Sequence, residues 1–132
     1  MTQEEFEQLV SEEFERAIPE KFRTHIKNVA FLVEDEPSHE LRKREHLGPH
    51  HTLLGYYHGI PMPMRGDWYG MGTTMPDTIT LFQKPIEEAG GGDPQKIGQV
   101  IRETIWHEVA HHFGFGEERV QEREQKRDGI NL

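Results

Sequence analysis

Between Asp93 and Phe113 the apolar residues Ile97, Val100, Ile101, Ile105, Val109 and Phe113 recur mostly at spacings of three and four. That period puts them on one face of an α-helix, so the segment must bury a stripe against another surface. Asp93 followed by Pro94 suits the start of such a helix. The aspartate can accept from free N–H groups of the first turn, and proline there gives up a donor that had no partner. Gly114 offers the left-handed residue that ends it. A long helix with one apolar face demands a partner layer, and 132 residues supply only one modest core.

Several segments could form that layer. Phe6, Leu9, Val10, Phe14, Ala17 and Ile18 recur at helical spacing. Thr2 and Glu5 have the spacing of a capping box, and Pro19 ends the helix. PEKFRTHI (19–26) reads as a short second helical turn. NVAFLVED (28–35) is the best strand, and 36–51 holds one or two helical turns around Leu41. LLGYYHG (53–59) reads as a further strand and 60–77 as a Pro/Gly-rich loop. DTITLFQKP (77–85) reads as a strand closed by Pro85, AGGGDP (89–94) as a flexible joint, and 117–127 as a polar helix. No repeat or long linker divides the chain, so residues 1–132 are expected to form a single domain.

Composition narrows the chemistry. Hydrophobic residues make up 33% and charged residues 30%, which fits a soluble globular chain. The formal net charge of −9 disfavours nucleic acid and anionic membranes as partners. The acidic N-terminus lacks the pattern of a signal peptide, and no run of 18 apolar residues occurs, so the cytoplasm is the expected location. There is no cysteine, so any metal must be held by His and carboxylate.

The stretch HEVAHHFGFGEE (107–118) closes the apolar helix and concentrates ligand-type side chains. His107 and His111 stand four apart, on one helical face, where their Nε2 atoms can converge on one ion. Zn–N bonds of about 2.0–2.1 Å allow two rings one turn apart to share a tetrahedral metal. Glu108 can lean over the open side of that metal as a general base. H-E-x-x-H by itself carries little weight in a chain with nine histidines and many glutamates. The extension sharpens it. Gly114 permits a sharp exit from the helix, and Glu117 is the first carboxylate placed to swing back as third ligand, with Glu118 its competitor. His112 lies about 100° around from His111 and is expected to pack or hydrogen-bond, not to ligate.

HEVAHHFGFGEERV resembles the zincin metallopeptidase motif. More closely, it is similar to a family of small bacterial proteins described as possible zinc metallopeptidases, whose motif reads H-E-x-A-H-H-F-G, two residues, an acid and Glu-Arg. The likeness extends to the acidic first helix (TQEEFEQLV), to NVAFLVEDEP, to Leu-Leu-Gly-Tyr-Tyr at 53–57 and to the strand at 76–82, which is nearly the whole chain. The resemblance implies an α+β fold, a minimal zincin unit with a small mixed sheet packed on the motif helix. It also implies His107, His111 and Glu117 as ligands and Glu108 as base. The family commonly has Asp where this chain has Glu117.

Other groups read more plainly. His46, His50, His51 and His58 cluster in sequence, but Gly48 and Pro49 interrupt any helix, and a polar loop is expected. Trp68, Tyr69, Gly70 and Met71 suit core packing under a loop or a flap over a peptide cleft. Residues 77–83 are the candidate edge strand for pairing with extended substrate. Tyr56, Tyr57 and Tyr69 are candidates for stabilising an oxyanion. The reading is a zinc-dependent peptidase acting on a peptide or protein substrate. Iron, manganese or nickel would also suit two imidazoles and a carboxylate. The alternatives are a non-catalytic metal- or partner-binding protein on a zincin scaffold and, more distantly, a small nuclease. The glutamate after His107 and the net charge stand against the nuclease.

Overall fold

The helix opened by Asp93 and Pro94 is the longest element among the described residues. In the computed structural model, which describes residues 1–23, 26, 29–59 and 77–113, it runs Pro94–His112. In chain order the described elements are α1 (Gln3–Ala17), α2 (Glu20–Arg23), β1 (Val29–Glu34), α3 (His39–Arg44), β2 (Gly55–His58), β3 (Asp77–Phe82), α4 (Gln83–Ala89) and α5 (Pro94–His112). Asp93 caps α5 by accepting from the Gln95 N–H at 3.0 Å, with Pro94 at its first turn. Ile97, Ile101, Ile105 and Val109 are buried, while Val100 and Phe113 flank them half-buried. Gly114 and the 117–127 helix lie outside the described residues.

α1 packs against α5 through Phe6, Val10 and Ala17, joined by Ile18 just beyond its end. Its start is the expected capping box. The Glu5 N–H donates to Thr2 Oγ1 at 3.1 Å, and the Thr2 N–H donates to Glu5 Oε1 at 3.2 Å. Those hydrogen bonds hold the Glu5 carboxyl below its ordinary value, the backbone N–H of Thr2 most of all. Between the two helices lies a feature the periodicity did not show. Glu13 is buried at 2% exposure and pairs with Arg16 Nη1 at 3.3 Å and Arg102 Nε at 3.4 Å. It ties α1 to α5 by charge in the middle of an apolar seam.

The three strands form a mixed sheet in the order β1-β3-β2. β1 pairs parallel to β3 with Val29 opposite Asp77, and β2 pairs antiparallel with Tyr57 opposite Ile79. Along β3 the residues Asp77, Ile79 and Leu81 share one buried face. Ile79 and Leu81 complete the core against the helices. With α1 and α5 packed on one face of a small mixed sheet, the fold is α+β, as expected.

Three expectations need correction here. Residues 77–83 do not form an edge strand, because β3 is central and both its sides are hydrogen-bonded. Among the described residues the edges belong to β1 and β2. Pro85 does not close a strand that runs to it either. The chain passes directly from Phe82 into α4 and takes Pro85 in the first helical turn, where a missing N–H leaves no hydrogen bond unmade. The glycines after α4 form a defined turn, not a loose joint. Gly91 and Gly92 adopt φ of +62° and +76°, values that other residues reach at a cost, and their N–H groups bond to Glu88 and Glu87 carbonyls. His46 and His50 lie in turns beyond α3, as the Gly-Pro interruption implied.

These contacts make two predictions. Ile101→Ala, which empties a fully buried position, is expected to cost about 2–5 kcal/mol in urea unfolding. Thr2→Ala is expected to cost about 1 kcal/mol. In an NMR titration of the Thr2→Ala chain, the Glu5 carboxyl should also titrate higher than in the parent. The lowered pKa means that this cap contributes above the ordinary carboxylate range and is lost as pH falls through the Glu5 value.

Candidate active site on helix α5

Burial of the isoleucine stripe fixes the rotation of α5, and that rotation decides where the motif residues stand. His107 and His111 come out half-buried on the flank of the helix. Their ring centroids are 5.2 Å apart and their planes 64° apart. The two rings sit one turn apart on a common face, the arrangement needed for two imidazoles to share an ion. Glu108 is turned further inward, at 8% exposure, and is no solvated surface acid.

β2 closes over this part of the helix. Gly55 lies so near α5 that a Cβ there would stand 2.7 Å from Thr104 Cγ2 and 3.2 Å from Glu108 Cγ. A side chain at position 55 would push the strand off the helix. Two clefts meet along this line, both lined by Leu53, Gly55, His107 and Glu108. One, of about 520 Å3, continues past Leu54, Val100, Glu103 and Thr104 toward Ala89. The other, of about 420 Å3, continues past Tyr56, Tyr57 and His111 to Glu45. The predicted base and both predicted histidines therefore open on a trough whose second wall is the edge strand β2.

A metal would be compatible with this donor set. Without cysteine the available ligands are nitrogen and oxygen, and two cleft-facing imidazoles beside a carboxylate suit zinc and its neighbours. Among the described residues no third His, Asp or Glu joins the pair as a metal-holding cluster. Glu117 and its competitor Glu118 lie outside the described residues. The loop 68–71 and Tyr69 lie outside them as well.

The profile of the zincin-like metallopeptidase family matches residues 26–127. The chain belongs to the zincin-like metallopeptidase family. No curated protein matches it. The matched span takes in every zincin-like element from β1 to α5. It begins after α1, so part of the surface on which the zincin-like helix α5 rests comes from residues outside the match. Among the described residues no helix is long and apolar enough to cross a membrane.

The tyrosine candidates are sorted by their partners. Both Tyr56 and Tyr57 line the second cleft of this zincin-like site. The Tyr56 hydroxyl donates to Glu45 Oε1 at 2.7 Å, and the Tyr57 hydroxyl donates to Asp77 Oδ2 at 2.6 Å. Glu45 and Asp77 were not singled out in the sequence. For Asp77 a signal existed, since alternation puts it on the same strand face as Ile79 and Leu81. Glu45 follows a charged helix and had none. His112 is fully buried, 3.0 Å from Asp77 Oδ2, and so packs and hydrogen-bonds as expected.

The Glu45 hydrogen bond, with a smaller part from burial, raises the Tyr56 pKa above its usual value near 10. A raised value means that this contact stabilises the fold below the unfolded-state pKa and is lost as pH rises through the folded one. Glu45→Gln should move one tyrosine to a lower pKa in an ultraviolet titration of the phenolates.

Proposed function

We propose that this chain is a zinc-dependent peptidase in which Glu108 is the general base and His107, His111 and Glu117 hold the metal. The observation that carries the reading is the placement of His107, Glu108 and His111 along one trough beside the edge strand β2. The cysteine-free ligand set and the family membership support zinc. Zinc, when bound there, would supply Lewis-acid polarisation of a carbonyl and acidify a water.

The chain's own residues do the rest. Glu108 takes a proton from the attacking water and delivers it to the leaving amine. Its side chain is 8% exposed and passes close to Gly55 of β2 at Cγ, on the wall of the trough. An extended peptide adds along β2, whose backbone lines the trough at Gly55 and Tyr56. Strand addition here replaces the pairing first expected of 77–83, which the central place of β3 forbids. Leu53, Leu54 and Val100 offer apolar contact to side chains on one side of the scissile bond.

Elemental analysis and a peptide-library assay test the reading together. Wild type should carry about one zinc per chain. His107→Ala should lose it and Glu117→Ala should hold it more weakly. Glu108→Gln should keep zinc while turnover falls by roughly 10²–10⁴. A wild type without zinc would defeat the proposal. Zinc with no turnover on any peptide would leave a metal-binding protein on a zincin scaffold.

A further inference from the structure

Three elements converge on one carboxylate oxygen beneath the proposed site. Asp77, at the start of β3, is 1% exposed, and His112, at the last residue of α5, is fully buried. Their separation is 3.0 Å, Nδ1 to Oδ2. The Tyr57 hydroxyl, from β2, reaches the same Oδ2 at 2.6 Å. The Tyr57 and His112 rings also meet edge-on, with centroids 6.0 Å apart. Gly59 leaves room for the carboxyl group, since a Cβ there would collide with it.

We propose that Asp77, His112 and Tyr57 form a positioning device that sets the aim of His111 toward the metal. The inference rests on the peptidase-site reading above, and none of the three residues is offered as a ligand. Two arguments lead to it. First, His112 directly follows His111, so fixing one fixes the phase of the other, at about 100° per residue. The last turn of a helix has carbonyls without intrahelical partners and frays unless something holds it. His111 stands in that turn, and the His112–Asp77 contact clamps the turn to the central strand. Second, a buried polar pair contributes little net stability compared with apolar side chains of the same volume. Neighbouring positions on the same two surfaces, Ile79 and Val109, are apolar and buried. A directional contact where packing alone would stabilise at least as well points to orientation as its use.

The experiment compares Asp77→Asn, which keeps the shape, with Ile79→Val, which destabilises the same strand face without touching the polar contact. Zinc affinity by chelator competition, the visible spectrum of the cobalt-substituted protein and amide exchange across α5 are measured on each. Asp77→Asn should weaken zinc roughly 10- to 100-fold, the range for lost supporting contacts at metal sites. It should shift the cobalt bands and speed exchange at 109–113 more than at 97–101. Ile79→Val should lower stability and leave zinc affinity and the cobalt spectrum unchanged. Should Asp77→Asn not fold, Tyr57→Phe removes the hydroxyl that bonds to Asp77 and should weaken zinc roughly two- to tenfold. Wild-type zinc affinity and cobalt spectrum in the polar variants would overturn the inference and leave the site reading intact. So would an equal loss of affinity in Ile79→Val. A wild type that binds no zinc would instead overturn the site reading, and this inference with it.

Discussion

Burial of one stripe of α5 sets the geometry of everything near it. Ile97, Ile101, Ile105 and Val109 meet α1 and the sheet. At roughly 1.5–3 kcal/mol for each fully buried aliphatic side chain, this stripe outweighs any single polar contact in fixing the helix's rotation. Once that rotation is set, the positions at 107 and 111 must fall on the flank and those at 108 and 112 must turn inward. The helix is at once the largest contributor to the core and the carrier of the candidate chemistry. The two roles need no compromise, because they occupy adjacent faces.

Beside its apolar stripe α5 carries polar groups, some buried and some partly exposed, and β2, β3 and α1 meet them in turn. Thr104 and Glu108 meet the glycine of β2. His112 meets Asp77 and, through it, Tyr57. Arg102 reaches back to the buried Glu13 on α1. A buried carboxylate or imidazole is costly unless it is hydrogen-bonded or paired, so such contacts tolerate little slippage between elements. The apolar stripe supplies the stability and the polar contacts supply the register.

Much of this was legible in the sequence, for local reasons. The capping box at Thr2 and Glu5, the Asp93–Pro94 start of α5 and the strands at Val29–Glu34 and Gly55–His58 each follow from a few neighbouring residues. The failures were also physical. Pro85 looked like a terminator because proline ends regular structure more often than it begins it, yet in a helix's first turn its missing donor costs nothing. An edge position for 77–83 is suggested by its closeness in the chain to the motif helix. Pairing partners are chosen by long-range hydrogen bonds that sequence proximity does not report. Nothing local to Glu13 marks it as buried, because its partner from α5, Arg102, lies far along the chain.

By itself, the sequence determined the helical face on which His107 and His111 stand together, the inward turn of His112 relative to them, and a ligand chemistry restricted to nitrogen and oxygen. These follow from the helical repeat and from the absence of cysteine, which act residue by residue. Only the tertiary structure decided that Glu108 is buried, that β2 and not β3 walls the trough, and that Asp77 and Tyr57 meet His112 beneath it. Those facts depend on which surfaces pack together. Packing is settled by the summed burial of α1, α5 and the sheet, and no short stretch of the chain contains that sum.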